Sequence, residues 1–80
     1  MSKNAIGTSE MNSLESISAV GGVRAHRMRR DLGFESVLDV AEASLETLQE
    51  VWSVGPHFAR VIKGSAEELV EAWRSEQSLE

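Results

Sequence analysis

Cysteine and tyrosine are absent from these 80 residues, proline occurs once, and lysine is confined to Lys3 and Lys63. Without cysteine neither a disulfide nor a thiolate metal site can form. That fits a reducing compartment, and a cytoplasmic location is expected. No apolar run approaches the roughly 18 residues of a membrane span, and MSKNAIGTSE lacks the apolar centre of a signal peptide. No membrane partner is therefore expected. Eighty residues hold one small domain at most. Residues 1–10 and 76–80 read as flexible tails around a domain spanning 11–75. The apolar residues are mainly Val, Leu and Ala, which favours helices.

Net charge is −5, but it is unevenly placed. Residues 1–30 hold Lys3, Arg24, Arg27, Arg29 and Arg30 against Glu10 and Glu15. Residues 31–80 hold Arg60, Lys63 and Arg74 against all the remaining acids. The arginines of the first part lie in one run, VGGVRAHRMRR, directly behind a Gly-Gly step. Such polarity bears on partners rather than on fold.

The chain also repeats itself. Leu14, Ile17, Val20, Gly21, Ala25 and Met28 recur, 34 residues on, as Leu48, Val51, Val54, Gly55, Ala59 and Ile62. Two units are too few for a solenoid and suggest a compact pseudo-symmetric pair. Each unit reads as helix, tight turn, helix. In the second, spanning 45–74, Ser44 is placed as N-cap and Leu45, Leu48, Val51 and Trp52 share a helical face. Gly55 permits the turn, and Pro56 suits the first position of the next helix. In the first unit, spanning 11–33, Met11, Leu14 and Ile17 take the same part. Gly21-Gly22 then opens a helix that buries Ala25, Met28 and Leu32. Gly33 offers a left-handed stop, with Phe34 placed for the accompanying apolar contact. Between the units, Ser36 is expected to cap a short connecting helix over 36–43.

Gly64-Ser65 could break the last helix, since Ser65 and Glu68 resemble a capping box. Yet Ile62, Ala66, Leu69, Val70 and Trp73 fall within about 80° of Ala59 on a helical wheel, with Gly64 opposite. An interior glycine costs about 1 kcal/mol, less than burying Trp73 and Leu69 returns. One helix from about Pro56 to Arg74 is expected. The whole is then an all-α domain of about five helices.

The units LESISAVGGVRAHRM and LQEVWSVGPHFARVI resemble the helix-hairpin-helix motif, and DLGFESVLDVAEASLETL is similar to the linker of the tandem form. The resemblance covers about residues 11 to 66. It implies a compact pseudo-two-fold tandem domain that holds duplex or junction DNA by its backbone, without sequence preference, in repair or recombination. In that family main-chain N–H groups at the start of the second helix meet a phosphate, favoured by the helix dipole. The donors implied here are Gly21, Gly22 and Val23 in one hairpin and Gly55 and His57 in the other; Pro56 has no N–H. The family often places lysine where Val23 and His57 stand. Its hairpin is usually Gly-apolar-Gly, and the first glycine is replaced by Ala19 and Ser53. If that position needs a positive φ, both replacements are strained. Tandem domains of this type also serve as protein-docking or dimerising modules.

Arg24, Arg27 and Arg30, with His26, are expected to fan out on the solvent side of the helix behind the first hairpin, flanking a phosphate. The competing reading is a solvated face salt-bridged to Asp31 or Glu35. The second hairpin brings His57, Arg60 and Lys63, but Phe58 and Val61 stand where the first has Arg24 and Arg27. These two either pack under the connecting helix or form an exposed apolar patch inviting a protein, and burial is the expectation. His26 and His57 read as surface residues, because nothing is spaced to join them at a metal. Trp52 and Trp73 read as core, and Glu67, Glu68 and Glu71 as a wet face. No nucleophile with a base, phosphate loop or carboxylate pair in a cleft is present, so no enzyme, cofactor or small-molecule substrate is expected. The rival to DNA binding is a protein-interaction module whose acidic half docks a basic partner.

Overall fold

A glycine or serine stands just before each described α-helix: Gly21, Ser36, Ser44 and Gly55. The computed structural model describes residues 11–51 and 54–77, with the Gln77 side chain excepted. The expected tail at 1–10, residues 78–80 of the tail expected at 76–80, and Trp52 and Ser53 lie outside the described residues; Glu76 and Gln77, expected in that second tail, are helical instead. Within them are a 3₁₀ turn, Leu14–Ser16, and four α-helices. Helix α1 is Gly22–Arg27, prolonged by a π-helical turn over Met28–Leu32. Helices α2, α3 and α4 are Val37–Glu42, Leu45–Leu48 and Pro56–Gln77. No strand occurs among the described residues, so the all-α class stands, and the described residues hold four α-helices where about five were expected.

Where a helix was expected through Leu14 and Ile17, the chain forms the 3₁₀ turn. Ser16 donates to Ser13 at 3.1 Å and Ile17 to Leu14 at 3.1 Å, both i to i−3 bonds of a tight turn. Ser13, Ser16 and Ser18 are poor helix formers, because their hydroxyls compete for the backbone. Burial is kept all the same: Leu14 and Ile17 are 0 % and 2 % exposed.

Caps explain the remaining boundaries. Ser36 forms a capping box with Asp39, whose carboxylate accepts the Ser36 N–H at 3.2 Å. Ser44 Oγ accepts the Thr47 N–H at 3.1 Å and starts α3. Gly33, at φ 71°, ends the helix begun by α1, and the N–H groups of Gly33 and Phe34 both converge on the Met28 carbonyl. Phe34 packs against the core as its position suggested. Helix α4 runs unbroken through Gly64 and continues past Arg74. The Ser65 hydroxyl does not cap a new helix; it accepts the Ser18 N–H at 2.9 Å and ties the first turn to α4.

The sequence repeat is a structural repeat. Val20 donates to Ile17 and Val54 to Val51, both at 3.1 Å; Ala25 donates to Gly21 and Ala59 to Gly55, both at 2.9 Å. The bonds Ser16 to Ser13 and Ile17 to Leu14 recur likewise as Glu50 to Thr47 and Val51 to Leu48. Each matched apolar pair is buried in one shared core: Leu14 with Leu48, Ile17 with Val51, Val20 with Val54, Ala25 with Ala59, Met28 with Ile62. Helix α2 joins that core through Val37 and Val40 and packs along α4. Trp73 is half-buried against it, and its Nε1 is enclosed without a hydrogen-bond partner.

Candidate functional site

Each unit turns sharply and then starts a helix, and these two starts differ from every other helix start described. Asp39, Glu46 and Glu15 sit in the first turns of α2, α3 and the 3₁₀ turn, whereas α1 and α4 have no acid there. Gly21, at the N-cap of α1, offers no side chain to the free donors behind it. The carbonyls of Gly21 and Gly55 take the first helical bonds, from Ala25 and Ala59. The N–H groups of Gly22 and Val23, and of His57 and Phe58, come before those bonds and have no acceptor within their helices. Gly21, Gly22, Val23, Gly55 and His57 are all exposed. Two electropositive helix ends thus face outward unneutralised, which suits an anion.

Ala19 stands at φ 70°, the only residue other than glycine at positive φ among those described. The strain expected at this hairpin position is present, at about 1–2 kcal/mol for a residue with a Cβ. Arg24 braces it. Its Nη1 donates to the Ala19 carbonyl at 3.0 Å, and its guanidinium lies 4.9 Å from the centre of the Phe58 ring. Arg24 was expected on the solvent side beside a phosphate; instead it links the first turn to the start of α4. Its offset is informative, because Arg24 and Phe58 are equivalent positions of the repeat, 34 residues apart. Nothing in the two side chains taken singly announces this contact, but the repeat could have found it.

Phe58 and Val61 are 41 % and 37 % exposed, which corrects the expectation that they are buried under the connecting helix. On α4 they face the first unit, on the side of Ser65, rather than α2. With Val23 at 64 % they leave apolar surface beside both helix starts. His57 packs its ring against Phe58, with centroids 5.6 Å apart.

The other cations divide. Arg29 pairs with Glu15 at 3.4 Å, and Arg30 with Asp31 at 2.9 Å. These are solvent-exposed pairs of small energy, open to exchange with a competing anion. The Arg30 hydrogen bond holds the Asp31 carboxyl below its ordinary pKa, with Arg30, Arg27 and His26 adding their positive fields. Glu15 is lowered by a backbone hydrogen bond first and by Arg29 second. Arg27 is half-buried, while His26 and Arg60 are exposed. Lys63, expected beside DNA, turns to the end of α2. Its Nζ donates to the carbonyls of Ala41 at 2.7 Å and Ala43 at 2.6 Å, with Glu67 at 3.7 Å. It serves as a C-terminal cap for the connecting helix. Glu67, Glu68 and Glu71 lie on the wet face, as expected.

No family model, curated protein or solved structure matches this chain. Its own geometry therefore carries the functional reading.

Proposed function

We propose that the chain is a tandem helix-hairpin-helix module that grips the phosphate backbone of duplex or junction DNA without reading sequence, in repair or recombination within the cytoplasm. The observation that carries this reading is the pair of exposed helix starts, built by the same backbone bonds and both lacking a first-turn acid. Two such ends can each receive a phosphate oxygen on main-chain donors, a contact that carries no base information. A pseudo-two-fold axis between the units accounts for the contact of Arg24 with Phe58, since equivalent residues touch only beside the axis relating them. Arg27, Arg30 and Arg60 supply the surrounding positive charge. Arg24 and Lys63 act within the fold, the first bracing the hairpins and the second capping α2.

The test is the fluorescence anisotropy of labelled duplexes of two unrelated sequences over a range of salt. If about three phosphates are neutralised, the log–log slope lies near −2 to −3 for both sequences. Replacing Arg27 and Arg30 with alanine should flatten it and weaken both sequences alike. An unchanged slope would remove the basic run from the interface.

A second reading has its own observation. Leu38, Ala41 and Val70 floor a groove between α2 and α4 that Glu42, Glu67 and Glu71 rim, with Arg74 beside them. That surface suits a basic protein segment, and weak DNA binding together with strong binding of such a segment would favour a protein-docking module.

A further inference from the structure

Helices α2 and α4 pack along each other, yet a groove of about 430 Å³ stays open between them. Leu38, Ala41 and Glu42 stand at i, i+3 and i+4 on α2, and Glu67, Val70, Glu71 and Arg74 at i, i+3, i+4 and i+7 on α4, so each helix turns one face to the gap. At the middle of the α2 face stands Ala41, whose single methyl leaves the gap unfilled. Leu38 and Ala41 remain half-buried, and with Val70 they form an apolar floor. Four of the seven lining residues are charged and exposed, Glu42, Glu67 and Glu71 against Arg74. Lys63, one turn before Glu67, places its ammonium on the Ala41 and Ala43 carbonyls, with Glu67 at 3.7 Å. The wider field has the same sign, because residues 31–80 hold eleven of the thirteen acids.

Deepening the protein-docking reading above, and independent of the backbone grip, we propose that this groove holds a basic amphipathic helix of a partner protein. Its apolar stripe lies on Leu38, Ala41 and Val70, and its lysines or arginines meet Glu42, Glu67 and Glu71. Charge complementarity selects the occupant: three carboxylates repel nucleic acid, and an apolar floor beneath them calls for a segment that is apolar and cationic at once. The long stems of lysine and arginine also cover the edges of such a floor while their heads reach the rim. Small-molecule sites are lined mostly by apolar side chains, whereas most of this lining is charged. An extended peptide would need a sheet edge, and no strand occurs among the described residues. A groove between two helices instead takes a third, with anchors at i, i+3 or i+4, and i+7. Arg74 stands two turns from Glu67 on the same face and gives the groove a polarity, so the partner's cations belong toward Glu67. Glu67 is itself eleven residues beyond Pro56, about 16 Å along α4. A helix docked there leaves both helix starts open to DNA.

The experiment measures, by fluorescence anisotropy at physiological ionic strength, the affinity of the 80-residue chain for a labelled leucine-lysine peptide of about five helical turns. Its leucines repeat at i, i+3, i+4 and i+7, and a peptide of the same composition with the stripe scrambled is the control. Wild type should bind the striped peptide about tenfold more tightly than the scrambled one, with amide shifts at Leu38, Ala41, Glu42, Val70 and Glu71. Glu42→Lys combined with Glu71→Lys changes only exposed side chains and should weaken the striped peptide about tenfold. Ala41→Leu raises the floor, keeps every charge and should weaken it too, with helix content by circular dichroism unchanged. Equal affinity for the two peptides overturns the helical occupant while leaving a basic segment as the partner of the docking reading. Binding of neither removes that reading as well. Affinity that survives both the charge reversals and Ala41→Leu places the peptide elsewhere and overturns the proposal. Self-association of the chain that the charge reversals abolish would assign the groove to a second copy and overturn it likewise.

Discussion

Replacing Lys63 with methionine separates a structural cation from a DNA-binding one. The lysine Nζ donates to the carbonyls of Ala41 and Ala43, both near the C-terminal end of α2, at 2.7 and 2.6 Å. Methionine keeps most of the apolar stem and removes only the charged donor. A hydrogen bond from a charged group contributes about 1.5–3 kcal/mol net, and the value falls toward the lower end where water can replace the donor. The Lys63 side chain is 26 % exposed, so partial replacement by water is expected. Two such bonds from one ammonium share its charge and do not add fully. The Glu67 contact, at 3.7 Å on the surface, adds about 0.3–0.5 kcal/mol. The expected loss is about 2 kcal/mol, read as a lower midpoint with unchanged slope in urea. The equivalent change at exposed Arg60 should cost under about 0.5 kcal/mol. A Lys63→Met midpoint indistinguishable from that of Arg60→Met would refute the capping role.

Gly64 lies mid-helix, and a Cβ added there meets nothing within 4 Å, so Gly64→Ala should raise stability by about 0.5–1 kcal/mol in the same urea assay. Arg24→Met removes the bond to Ala19 and the guanidinium over Phe58; it should lower stability by about 1–2 kcal/mol, contrary to the behaviour of a solvent-facing arginine. The Asp31 and Glu15 carboxyls should titrate below their ordinary values in a carbon-detected NMR titration, and Arg30→Ala should return Asp31 toward the ordinary value. Because both pKa values are lowered on folding, the stability these groups add is complete above the ordinary carboxylate pKa. It is lost as pH falls through the lowered folded values.

Much of this fold was legible because its signals are local and agree with one another. The 34-residue offset located both turns, and the backbone bonds at Gly21 and Gly55 are the physical form of that offset. The apolar face of α4 correctly outweighed Gly64, because burial of Ile62, Ala66 and Val70 exceeds the cost of one glycine. The first helix failed for a local reason, since apolar spacing at Leu14 and Ile17 is met equally well by a serine-rich 3₁₀ turn. The site was harder to read. Helical periodicity placed Arg24 and Lys63 outside the apolar stripe, which is where they lie, but it cannot say which neighbouring element a long side chain will reach. Arg24 crosses to Ala19 and Phe58, and Lys63 to the end of α2; both depend on how the two units pack together. The exposure of Phe58 escaped for the same reason.

The two helix starts can be tested together by an NMR titration of the 80-residue chain with a short DNA duplex at low salt, following every backbone amide. Phosphate binding at both turns predicts amide shifts confined to residues 20–30 and 54–63, largest at Gly22, Val23, His57 and Phe58, and reversed by added salt. Shifts centred instead on Leu38, Glu42, Glu67 and Glu71, or no shifts at millimolar DNA, would contradict a backbone grip at the paired helix starts.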